Sequence, residues 1–77
     1  MITTLDRIRS KRNVKVVEVI GGWGLQRHLS HLGIHPGDIL TVIRHAAMGG
    51  PILITIHGSQ IAIGRGMASR IAVEDTE

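Results

Sequence analysis

Three of the chain's five histidines and its single tryptophan fall within "GGWGLQRHLSHLGIHPGD", residues 21–38. Imidazoles at close spacing raise the question of a zinc or iron site. His28 and His31 stand three apart in a segment with helical periodicity, and His35 follows a glycine that would end that helix. A structural zinc site normally takes four ligands, with thiolates prominent among them. The chain has no cysteine, and Asp38 is the only carboxylate near the three histidines. His28 lies beside the leucine stripe of the segment, and His31 lies further round. The expectation is that no metal is held; His28, His31 and His35 are the residues that would form a site if there were one.

Other chemistries fare no better. "GRG" at 64–66 follows a strand-like run, as a phosphate loop would. However, Ser69 stands where the dinucleotide pattern wants its third glycine, and there is no Gly-Lys-Ser/Thr. No serine, histidine and aspartate sit in a motif that supports nucleophilic catalysis, no carboxylate pair faces a plausible cleft, and so small a core leaves no room for a deep pocket. The chain therefore reads as a non-enzyme without a cofactor. Arg7, Arg9, Lys11 and Arg12 form a basic cluster that could meet phosphates. With Trp23 as the sole residue of the Phe, Tyr and Trp class, base stacking has almost nothing to work with. Nucleic-acid binding is the alternative reading, not the first.

The elements that must position these residues follow from composition and periodicity. At 77 residues the chain is expected to form one domain, residues 1–77, because two cores would each bury too little apolar surface. Phe and Tyr are absent, so the core falls to Ile, Val, Leu and Met, a composition that favours strands. Five β-branched runs are read as strands: Val14 to Ile20, Ile39 to His45, Ile52 to His57, Ile61 to Arg65 and Arg70 to Val73. Between the first two, Leu25, Leu29 and Leu32 recur at i, i+4 and i+7 and mark one short helix, with Gly33 at its expected left-handed end. "HPGD" has the residues of a type II turn, and "GSQ" is short enough for a hairpin. Residues 1–13 read as an N-terminal segment whose Leu5 and Ile8 could tuck under the core, and 74–77 as an acidic tail. The expected fold is mostly β: a small SH3-like, partly open barrel of about five strands with one short helix. An OB-like barrel is the second choice.

In this order, the strand, "GG", the L-x-x-x-L-x-x-LGI helix, "LGIHPGD" (32–38), "GGPILI" (49–54) and "MASRIAV" (67–73) together resemble the FeoA family. The likeness runs from about Val14 to Val73, the expected core of the domain. It departs from the family pattern at His28, where arginine is common, and at Ile63 and Gly64, where Leu-Arg is common. The resemblance implies a cytoplasmic SH3-like accessory protein that binds and regulates a FeoB-type ferrous iron transporter through that transporter's cytoplasmic domain. Similar modules also end metal-dependent repressors, so the alternative is a nucleic-acid-binding or repressor-associated SH3-like module.

No apolar run approaches the length of a membrane span, and a soluble cytoplasmic protein is expected. The net charge of +3 suits acidic partners. Advancing about 100° per residue from Leu25, Gln26, Arg27 and Ser30 sweep the side of the helix opposite the leucine stripe. Trp23 adjoins them, read either as a loop-tip anchor or as the lid of the barrel. Trp23, Leu25, Gln26, Arg27 and Ser30 are the expected partner-binding residues. Self-association through an open strand edge is a further possibility that the fold would leave.

Overall fold

A computed structural model describes residues 1–75. Six antiparallel strands form one sheet in the order β1-β6-β2-β3-β4-β5. They are β1 (Ile2–Thr4), β2 (Arg12–Val19), β3 (Ile39–His45), β4 (Ile52–Ile56), β5 (Ser59–Ile63) and β6 (Ile71–Asp75). Helix α1 (Trp23–His31) joins β2 to β3, and a single helical turn, α2 (Arg65–Ala68), joins β5 to β6. The sheet curls without closing, leaving β1 and β5 as edges. The fold is thus mostly β and SH3-like, with one strand and one short helix more than the sequence reading expected.

The additional strand comes from the N-terminal segment. Ile2, Thr3 and Thr4 pair with Glu74, Val73 and Ala72 of β6. A three-residue run shows no period of its own, so only its distant partner reveals it. After it, a 3-10 turn at Leu5–Arg7 drops Leu5 and then Ile8 into the core, as their spacing suggests. Of the acidic tail, Glu74 and Asp75 extend β6; residues 76 and 77 lie outside the described residues.

The core is aliphatic. Val14 and Val16 of β2, Leu40 and Val42 of β3, Ile52, Ile54 and Ile56 of β4, Ile63, Ile71 and Val73 are buried around Leu29 and Ile34, and among the described residues no polar side chain is fully buried. In β2 the alternation slips because the pairing with β6 shifts register between Val16 and Glu18, a bulge that turns Glu18 outward and leaves Val17 and Val19 half-buried. The β4–β5 hairpin is tighter than the "GSQ" expectation. His57 and Gly58 both take positive φ, 51° and 79°, so the loop has two residues and the ladder closes at Ile56 and Ser59. Serine and glutamine consequently belong to the strand.

Candidate functional site

The site begins where β2 ends. Gly21 has φ 150°, a backbone conformation that residues with a side chain rarely adopt, and a Cβ there would press on Leu25 Cδ2 at 3.0 Å, so glycine suits the turn onto the helix. Gly22 then serves as the N-cap, and Trp23 is the first residue of α1 rather than part of a loop. It is 73% exposed, which rules out the reading of Trp23 as a lid over the barrel. One turn on, the Arg27 guanidinium carbon stands 5.0 Å from the centre of the indole ring, within cation–π range. Gln26 donates from Nε2 to the Gly21 carbonyl at 3.2 Å, tying the helix back to the bend that precedes it.

The far end of α1 is closed by a Schellman arrangement. Ile34 N–H donates to the Leu29 carbonyl at 2.9 Å and Gly33 N–H to the Ser30 carbonyl at 3.0 Å, with Gly33 at φ 85°. Leu29 and Ile34 are both buried, supplying the apolar contact that accompanies this cap. The chain then enters the "HPGD" turn. Asp38 N–H donates to the His35 carbonyl at 3.0 Å, and Gly37 at φ 96° occupies the position that a type II turn requires. Gly37 N–H bonds the Val16 carbonyl at 2.7 Å and Val16 N–H the Asp38 carbonyl at 2.8 Å, so the turn is stapled to β2.

Between α1, the end of β2 and this turn lies an open groove of about 490 Å³. Trp23, Gln26, Arg27 and Ser30 form its helical wall; Glu18 and Val19 supply the strand side, and Ile34, His35 and Pro36 the end. Four of the five residues expected to meet a partner therefore line one depression. Leu25 faces the other way, half-buried against the core. Glu18, Val19, Ile34 and Pro36 had no signal in the sequence, because their membership depends on how β2 and the turn fold over the helix.

The histidines separate. His28 and His31 are exposed on α1, while His35 joins the groove. Among the described residues no three His, Cys, Asp or Glu side chains are placed to hold a metal ion. His35 instead belongs to a small polar network. Its Nε2 lies 2.9 Å from Ser30 Oγ, its backbone N–H donates to Asp38 Oδ2 at 2.8 Å, and its Nδ1 stands 3.4 Å from the same oxygen. His57, from the hairpin loop, approaches Asp38 Oδ1 at 3.3 Å. The backbone N–H of His35 is the main cause that holds the Asp38 carboxyl below its ordinary value of 3.8; partial burial opposes it, and the nearby His57 and His35 rings add to it.

Ser30, His35 and Asp38 here stand in the order of a hydrolytic relay, an arrangement without a signal in their spacing. The geometry is that of a turn clamp. Asp38 accepts its shorter bond from the backbone N–H of His35, its contact with the ring at 3.4 Å is too long to fix a general base, and the His35 side chain is 53% exposed to water.

Comparison with known proteins gives three concordant findings. The model of the FeoA domain family matches residues 3–75. A protein of Methanocaldococcus jannaschii named "Putative Fe(2+) transport protein A" is 45% identical over 64 residues, which cover 83% of this chain and 76% of that protein. The crystal structure of an iron uptake regulatory protein, FeoA, superposes with a TM-score of 0.87 at 32% identity and 96% coverage of both chains. The fold is shared more widely. The manganese regulator SloR matches 96% of this chain with a TM-score of 0.86, at 23% identity and over 34% of its own length.

Proposed function

The chain belongs to the FeoA domain family, and from that premise we propose that it is a non-catalytic, cytoplasmic accessory protein of ferrous iron uptake. Its partner in this reading is the cytoplasmic domain of a FeoB-type transporter, whose activity it supports or regulates. The observation that carries the reading is the Trp23–Arg27 stack at the rim of the groove. Tryptophan offers a large rigid contact area, and arginine a planar cation that can bond to a carboxylate in two places; both are enriched among the residues that dominate interface energies. The stack holds them together before any partner arrives, which reduces the ordering cost of docking.

Family membership supports a role beside the iron transport system, and no helix among the described residues is long and apolar enough to cross a membrane. Contact with a transporter would then be made from the protein's surface. The test is capture of the purified transporter cytoplasmic domain by this protein, beside duplex DNA at the same salt concentration. Capture of the domain without DNA supports the reading. DNA binding without capture of the domain overturns it in favour of a repressor-type module, for which the shared SloR fold is the supporting observation.

A further inference from the structure

We propose that a second site, the arginine-lined cleft at the Arg12 end of β2, seats the phosphate head groups of an anionic phospholipid surface. The cleft, of about 450 Å³, is walled by Thr3, Arg7, Arg9, Arg12 and Asp75 over a floor that includes Ile8. It lies at the opposite end of β2 from the docking groove, whose strand wall is Glu18 and Val19. The proposal is independent of what that groove binds.

The cations are carried on an anchored loop, not a loose tail. Ile8 is 4% exposed, and its carbonyl accepts a hydrogen bond from His45 Nε2 at 2.6 Å, so the residues on either side, Arg7 and Arg9, leave the core from a fixed point. Lys11 sits at φ 68° with its N–H bonded to the Val42 carbonyl at 2.6 Å, which fixes the turn into β2. Arg12 Nη2 donates to Asp75 Oδ2 at 2.8 Å, holding that guanidinium in the wall. Arg7, Arg9 and Lys11 have no carboxylate partner among the described residues. Three uncompensated cations beside a fourth, within residues 7–12, are the composition that draws a basic segment to anionic lipid. Guanidinium groups pair with phosphate through two parallel bonds.

Two observations favour lipid over nucleic acid. Trp23, the chain's only Phe, Tyr or Trp side chain, and α1, among the described residues the only helix longer than a single turn, both stand by the groove at the opposite end of β2. Met1, which also lines the cleft, and Ile2 of the β1 edge beside it expose apolar side chains, 84% and 59% accessible. An acyl boundary can take up such groups, whereas a phosphodiester backbone offers them nothing.

The experiment is co-sedimentation of the intact protein with vesicles of phosphatidylglycerol and phosphatidylcholine in equal parts, against phosphatidylcholine alone. We expect binding to the anionic vesicles only, lost at about 0.5 M salt, where screening confines charge to a few ångströms. Arg7→Glu with Arg9→Glu should lower vesicle partition by about tenfold or more. Arg27→Glu with Arg70→Glu, the same change in charge placed at the opposite end of β2, should lower it less than about twofold, and both pairs should melt as the parent does. Failure of the parent to bind anionic vesicles overturns the proposal. So does an equal loss in both pairs, which would mean that net charge alone acts, and so does duplex DNA binding that needs Arg7 and Arg9 while vesicles are ignored. Arg27→Glu separates this site from the groove: it should leave vesicle binding intact whatever it does to transporter capture.

Discussion

Arg65, the first residue of α2, donates from Nη2 to Nδ1 of His45, the last residue of β3, at 3.0 Å. Because Nδ1 is an acceptor here, the ring's proton sits on Nε2, from which it bonds the Ile8 carbonyl at 2.6 Å. One imidazole therefore joins the loop after β1, the end of β3 and the helical turn after β5.

Removal of that imidazole leaves a carbonyl and a guanidinium without partners, and the Arg65 Nε is already buried without one among the described residues. His45→Ala is expected to cost about 1–3 kcal/mol, the range for leaving partly buried polar groups unsatisfied. His45→Gln, able to donate to the Ile8 carbonyl, should recover part of it. An unchanged midpoint in urea for both variants would show that the seam carries no stability.

Leu29 is fully buried and caps α1 through its carbonyl and its contact with Ile34. Leu29→Ala should destabilise by roughly 2–5 kcal/mol, a large share of what a domain of this size possesses. Thermal melting decides it; a shift of only a degree or two would mean that the helix is not stapled to the core as described.

Asp38 is a carboxylate whose folded value lies below 3.8, chiefly because the His35 backbone N–H bonds it. A depressed carboxyl contributes stability above its unfolded value and loses it as pH falls through its folded one. Asp38→Asn should therefore be less stable than the parent at pH 7, with the difference shrinking towards about pH 3 and below. Urea titrations across that span check this, and a constant difference at every pH would remove the carboxylate charge as its cause.

With His28 and His31 exposed on α1 and His35 engaged by Ser30 and Asp38, no tight metal binding by this cluster is expected. Calorimetric titration with zinc or ferrous iron should show no one-to-one binding at about micromolar affinity, −8 kcal/mol. The expectation fails if such binding appears and is abolished by His28→Ala with His31→Ala.

Arg27→Glu replaces the cation over Trp23 by an anion at an exposed position. Loss of transporter-domain binding by at least about tenfold, roughly 1.4 kcal/mol, is expected with little change in melting, since exposed substitutions rarely move stability by more than about half a kcal/mol. Arg44→Glu, near the end of β3 away from the groove, should do much less. Equal losses would assign the effect to overall charge.

What this chain's sequence determined by itself is everything written in short-range periodicity. The β-branched runs became β2 to β6, Leu29 went to the core, Gly33 took the left-handed cap and Pro36-Gly37 the turn, because each depends on residues within one turn or one hairpin of each other. Helix spacing likewise put Arg27 one turn from Trp23. Only the tertiary structure decided that Glu18 and Val19 wall the groove opposite them, that Thr3 pairs with Val73, that His57 meets Asp38, and that His45 bridges Ile8 to Arg65. These contacts join distant points of the chain, and they depend on the curl of the sheet and on register slips such as the one at Val17, which no local preference encodes.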